Sequence, residues 1–114
     1  MLYKIGEFAK LVDTSIRTLR YYDEIDLLNP KEIDLFSGYR YYSEEQIDDF
    51  EIIKSLQDVG FSHEEIKNNW DSFNNEIMLK KKNELLDNIN YINKKIKEID
   101  NLKSKIVDGK FVFK

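Results

Sequence analysis

The sequence predicts an all-α fold with a small β-wing: a winged helix-turn-helix head followed by a long coiled-coil dimerisation helix. Three observations predict it. Two short amphipathic segments are joined by Asp13-Thr14-Ser15. A tyrosine-rich, strand-like stretch follows the turn signal Ser37-Gly38. A run from residue 75 to residue 107 contains neither glycine nor proline and carries apolar residues close to heptad spacing.

The first helix is expected at about residues 4–12, where Ile5, Phe8, Leu11 and Val12 recur at helical spacing. Asp13-Thr14-Ser15 breaks that pattern and offers caps for a second helix at about 15–25. There Ile16 and Leu19 take one side, and Arg17, Thr18, Arg20 and Tyr21 fall mostly on the others. Two short helices joined by a tight turn make a helix-turn-helix, although this turn lacks glycine. Asn29-Pro30 closes the pair, because the residue before a proline is pushed out of the helical region.

Residues 31–42 are expected to form the wing, a small hairpin turned at Ser37-Gly38. On a strand, Tyr39 and Tyr41 share one face, and Arg40 and Tyr42 the other. Ser43 and Gln46 read as a capping box opening a helix at 43–59, with Ile47, Phe50, Ile53, Leu56 and Val59 on one stripe and Gly60 as its terminal cap. Ser62 and Glu65 read as a second box, opening a helix at 62–73 with Ile66 and Trp70 inward. The head therefore spans residues 1–74 and the dimerisation helix 75–107.

In that last helix Leu85, Ile89, Ile92, Ile96, Ile99, Leu102 and Ile106 approximate an a/d seam, with an irregularity near Leu102. Their gross burial is worth about 10–20 kcal/mol at roughly 1.5–3 kcal/mol each. A helix of that span is about 50 Å long, too long to fold back on the head. Pairing with a partner helix is the expected outcome.

Composition narrows the function. The chain has 114 residues, 41% apolar and 35% charged. With no cysteine, disulfides, thiolate metal sites and thiol redox sensing are excluded. No apolar run reaches the roughly 18 residues of a membrane span. The N-terminus MLYKIGEFAK lacks an apolar signal core, so a cytoplasmic location is expected. The net charge of −4 is uneven: residues 1–42 balance to −1, 43–73 to −7 and 74–107 to +3. A DNA reader of this kind needs its few arginines on one face and its acidic middle turned away from phosphate. An enzyme finds no support: there is no cysteine nucleophile, no Gly-rich phosphate loop, and a single histidine, His63, read as a surface residue beside two glutamates.

The residues YKIGEFAKLVDTSIRTLRYYDEIDLL (3–28) and SGYRYYSEEQIDDFEIIKSLQDVGFSHEEIK (37–67), with the long helix after them, resemble the MerR family of bacterial transcription regulators. The pairing of SIRTLRYYD with GYRYY carries most of that resemblance. It implies a winged head, an antiparallel two-stranded coiled coil between protomers, and binding to a pseudo-palindromic promoter spacer that is bent and untwisted for RNA polymerase. The implied partners are double-stranded promoter DNA, a second copy of the chain and RNA polymerase, with no membrane and no cofactor. Metal and redox sensors of this family use cysteines near the long helix, which this chain lacks.

Ser15, Arg17, Thr18, Arg20, Tyr21 and Tyr22 on the second helix, with Arg40, Tyr41 and Tyr42 on the wing, form the expected DNA-binding set. Arginine forks onto guanine or grips phosphate, and phenols donate to phosphate. No metal ligands are expected. The tail 108–114 reads either as the start of a β-rich effector domain or as an end tucked against the partner's helix. DNA binding without an inducer is expected of such a chain. Two alternatives compete: an excisionase-like winged-helix protein that bends DNA, and a coiled-coil adaptor that binds none. The first does not account for residues 75–107, and the second leaves SIRTLRYYD and GYRYY unexplained.

Overall fold

A computed structural model describes residues 1–112. In chain order it contains β1 (Leu2–Lys4), α1 (Ile5–Leu11), α2 (Ile16–Glu24), β2 (Glu32–Ile33), β3 (Arg40–Ser43), α3 (Glu45–Asp58), α4 (His63–Asn69), α5 (Asn75–Lys103), β4 (Ile106–Val107) and β5 (Lys110–Phe111). The chain divides into two units, Met1–Ser72 and a second beginning at Phe73.

The glycine-free turn of the helix-turn-helix is made by Asp13, whose φ of 55° is left-handed. Aspartate tolerates that region better than most residues because its short polar side chain bonds locally. Thr14 N–H then donates to the Ala9 carbonyl at 2.9 Å, which ends α1. Asp26, at φ 56°, turns the chain in the same way after α2.

The wing is part of a three-stranded antiparallel sheet in the order β1-β3-β2. The expected hairpin supplies β2 and β3, with Glu32 opposite Tyr41 and Ile33 opposite Arg40. β1 is an addition: Leu2, Tyr3 and Lys4 pair with Ser43, Tyr42 and Tyr41. This pairing covers the far edge of β3 and ties the N-terminus to the wing.

The core of the first unit is built from Phe8, Ala9, Val12, Leu19, Tyr22, Leu28, Tyr42, Phe50, Ile53, Leu56, Phe61 and Ile66. Leu11 and Ile16, expected inward, are exposed. Gly60 takes φ 105° and lets Phe61 N–H reach the Leu56 carbonyl at 3.0 Å, closing α3. Ser62 and Glu65 form a reciprocal capping box at α4. The first expected box is only half made. Gln46 Oε1 accepts from Ser43 N–H at 2.9 Å, but Glu44 occupies the cap position without a side-chain bond. Helix α4 ends at Asn69, short of residue 73, where Ser72 N–H donates to the Asn69 carbonyl at 2.8 Å.

In the second unit, α5 starts on an Asn74 cap whose side chain accepts from Ile77 N–H at 2.9 Å. It buries none of its residues. Leu85, Ile89, Ile92, Ile96, Ile99 and Leu102 are each 43–57% exposed. The helix stops at Lys103, so Ile106 is not on the helical seam but on β4, paired with Phe111 of β5. Asp108 and Gly109, at φ 50° and 76°, are the two central residues of that hairpin rather than a helix stop. Both positions having positive φ is the geometry of the hairpin turn for which Asp-Gly is favoured. Phe113, read with the tail, lies outside the described residues.

Candidate nucleic-acid interface

The outward face of α2 follows from what its inward face buries. Leu19 and Tyr22, one turn apart, enter the core and leave Arg17, Arg20 and Tyr21 exposed. Ser15 caps the helix: its Oγ accepts from Thr18 N–H at 3.0 Å and lies 2.9 Å from Thr18 Oγ1. The two hydroxyls thus fix each other at the helix start, where exposed backbone N–H groups and the positive end of the dipole favour an anion.

Arg40 opens β3 and reaches back to α2. Its Nε donates to Asp23 Oδ2 at 3.0 Å, and both side chains are partly shielded from water. Asp23 Oδ1 in turn accepts from Asn29 Nδ2 at 2.8 Å. The Asn29 carbonyl accepts from Gln46 Nε2 at 2.6 Å. A polar chain therefore runs from the start of α3 through the loop after α2 to the wing arginine. With Nε occupied, the two Nη groups retain donors that fork onto phosphate or guanine. All three arginines of the sequence, Arg17, Arg20 and Arg40, belong to α2 and β3.

Two of the expected contact residues, Tyr22 and Tyr42, are buried. Tyr42 is 0% exposed and stacks on Phe8, with ring centroids 4.6 Å apart and planes 13° from parallel. As the middle of the three-residue pairing with β1, it points under the sheet rather than to a ligand. Its hydroxyl is buried without a hydrogen-bond partner. Burial pushes the phenol up to about 12, and the Asp23 carboxylate pushes it in the same direction. Tyr22 is 7% exposed and its ring lies against Phe50 and His63. Its hydroxyl both donates to and accepts from the Gln57 amide, at 3.2 and 3.1 Å. These two tyrosines hold α2 and the wing in place from behind. Tyr41 is half-buried on the central strand, and Tyr21 is exposed.

Sequence reasoning missed Asp23, Asn29, Gln46 and Gln57, whose roles depend on partners distant in the chain. It also placed His63 on the open surface. The imidazole instead packs against both α2 tyrosines, with centroids 5.8 Å from Tyr21 and 5.6 Å from Tyr22. The signal for Asp23 was its place directly after Tyr21-Tyr22; Gln46 and Asn29 were marked only as a capping residue and a helix end, and nothing marked Gln57.

Residues 3–72 match the family model described as MerR HTH family regulatory protein. The chain belongs to the MerR family. Over 65 residues it is 48% identical to the Multidrug-efflux transporter 1 regulator of Bacillus subtilis, covering 57% of this chain and 23% of that one. The crystal structure of MtaN, the N-terminus of the Bacillus subtilis multidrug transporter activator, superposes with a TM-score of 0.78 at 32% identity, covering 87% and 95% of the two chains. The EcmrR–DNA complex in EcmrR-RPo, solved by cryo-electron microscopy, matches with a TM-score of 0.75 at 32% identity, covering 87% of this MerR-family chain and 37% of that one. The chain spans less than half the length of the curated relatives it matches first.

Proposed function

We propose that this chain is the DNA-reading and dimerising part of a MerR-type transcription regulator. The observation that carries the reading is the Arg40–Asp23 contact at 3.0 Å, which fixes the wing cation to the same helix that presents Arg17, Arg20 and Tyr21. One rigid surface then offers a helix for the major groove and a cation for the adjoining backbone. The dimer reads a pseudo-palindromic promoter spacer and distorts it to control RNA polymerase, and α5 supplies the dimer contact. The six seam residues Leu85, Ile89, Ile92, Ile96, Ile99 and Leu102, all exposed, support that contact. Each is about half covered by its own helix, so a partner removes the rest, a gross gain of about 5–9 kcal/mol. The DNA-bound EcmrR relative supports the first half of the reading. The divisions adopted, a head over residues 1–74 and a dimer helix from 75, follow the capping at Asn74.

The test is binding to an operator recovered from a random duplex library. Arg17→Ala is expected to weaken binding by about 1–3 kcal/mol if Arg17 reads a base, and Arg40→Ala to flatten the salt dependence if Arg40 reads phosphate. Unchanged affinity in both variants removes the docking.

A further inference from the structure

At the tip of the wing, between β2 and β3, Leu35 is 94% exposed and Phe36 102% exposed. They are the most exposed large apolar side chains of the described residues after β1 begins, and they sit on a loop that is closed rather than loose. Asp34 N–H donates to the Tyr39 carbonyl at 2.9 Å, and Gly38 N–H donates to the Asp34 carbonyl at 2.8 Å. Asp34 Oδ1 accepts from Phe36 N–H at 2.8 Å and from Ser37 N–H at 3.3 Å. Ser37 Oγ accepts from Tyr39 N–H at 3.2 Å, and Gly38 takes the φ of 74° that the turn requires. The backbone is therefore built to hold two apolar side chains out in water, where each forgoes the roughly 1.5–3 kcal/mol that burial gives.

We propose that Leu35 and Phe36 are an apolar wedge that enters the minor groove of bound DNA and partly unstacks one base step. The inference rests on the DNA-binding reading above. Arg40, at the foot of the same hairpin, lies on the DNA-facing surface, so the tip extends that surface along the duplex. A hairpin rises about 3.3 Å per residue, which carries the tip roughly 10 Å beyond Arg40. Size selects DNA over a protein partner. Two side chains offer a few hundred Å² at most, roughly a third of the ~1,000 Å² of a specific protein interface, whereas one or two inserted apolar side chains suffice to kink a duplex. Electrostatics permits the approach. The Asp34 carboxylate is tied to two backbone N–H groups, which also hold its pKa below the ordinary value. Lys4 Nζ lies 5.3 Å from the Tyr39 ring centroid and brings a cation to the foot of the loop. The wedge supplies a physical device for distortion: unstacking at the flank is repaid by the larger surface that a bent duplex presents.

The test uses the full chain and the selected operator, with 2-aminopurine placed in turn at each step flanking the recognition-helix contacts. The unaltered chain is expected to raise fluorescence at one flanking step. Replacing both residues, Leu35→Ser with Phe36→Ser, is expected to abolish that rise and weaken binding about tenfold or more. The slope of affinity against salt is expected to stay unchanged, because an apolar contact releases no counterions. Arg40→Ala should show the opposite pattern, a flatter slope with the fluorescence rise retained. Since both side chains are exposed, an unchanged circular dichroism spectrum checks the fold. If the unaltered chain binds and the double variant matches it in affinity and fluorescence, the wedge is overturned while the DNA-binding reading stands. A variant that binds DNA normally and fails only when RNA polymerase is added also overturns it, in favour of protein docking. If the unaltered chain binds no duplex, both readings fall.

Discussion

The two units of this chain treat apolar residues in opposite ways. In Met1–Ser72, helices only seven to fourteen residues long close around their own core, with Phe8, Leu19, Tyr42, Ile53 and Ile66 all but sealed from water. In the second unit, a 29-residue helix buries nothing. Short helices are marginal alone and owe their stability to tertiary packing, which the first unit supplies internally. The long helix has the same need and meets none of it within its own unit. The difference teaches that the first unit is a self-sufficient structure and α5 half of one, so their responses to mutation should separate.

The largest expected effect attacks the unfinished half. Ile92→Asp with Ile96→Asp places charge on the seam, where a buried unpaired carboxylate costs several kcal/mol. Sedimentation should show a monomer at micromolar concentration, with specific DNA affinity reduced by orders of magnitude and the tertiary spectrum of the first unit intact. A variant that stays dimeric would mean that other residues hold the partner. Next, Ile53→Ala removes packing inside the first unit and should cost about 2–5 kcal/mol of its stability in denaturant. Dimerisation should persist under native conditions. Loss of both together would erase the proposed independence of the units.

Smaller effects lie on the DNA face. Arg40→Lys should fail to restore the affinity lost in Arg40→Ala, because an ammonium cannot bond Asp23 through one nitrogen and phosphate through others. Full rescue by lysine would reduce the Arg40–Asp23 contact to simple charge. The smallest effect is at Tyr42. Its hydroxyl is buried and unpartnered, so Tyr42→Phe should leave DNA affinity unchanged and stabilise the first unit by about 1 kcal/mol. The phenol is held up at about 12 by burial, so the unfolded chain loses its proton first as pH rises. The contribution of the neutral phenol is fully present below about pH 10 and is lost between there and about 12. Tyr42→Phe should remove that part of the alkaline loss, measured as denaturation midpoint against pH.

What was legible in the sequence followed locality. The Ser62/Glu65 box, the Gly60 cap and the periodicity of α5 are decided by residues three to seven apart, and each is present. The exposed face of α2 that carries Arg17, Arg20 and Tyr21 followed from the same periodicity. β1 was hidden because three residues show no alternation and its partner strand lies across α1 and α2. The burial of Tyr42 was hidden as well. The strand pattern placed Tyr42 with Arg40, but Phe8 of α1 covers that face only at Tyr42 and leaves Arg40, two residues earlier, partly exposed beside Asp23. Ile106 is a different failure. Asp108-Gly109 between Ile106-Val107 and Lys110-Phe111 is itself a hairpin signal, but the heptad count ran over it. The polar chain through Asp23, Asn29 and Gln46 joins residues from three elements and leaves no local mark.

The central claim is that two self-contained heads joined through α5 read DNA as a symmetric pair. Selection of bound sequences from a random duplex library, at a stated salt concentration, tests it most directly. The account predicts enrichment of two inverted half-sites at a fixed spacing, with the dissociated Ile92→Asp, Ile96→Asp variant failing to enrich the pair. Enrichment of a single unrepeated site by the unaltered chain, or of no sequence at all, would contradict it.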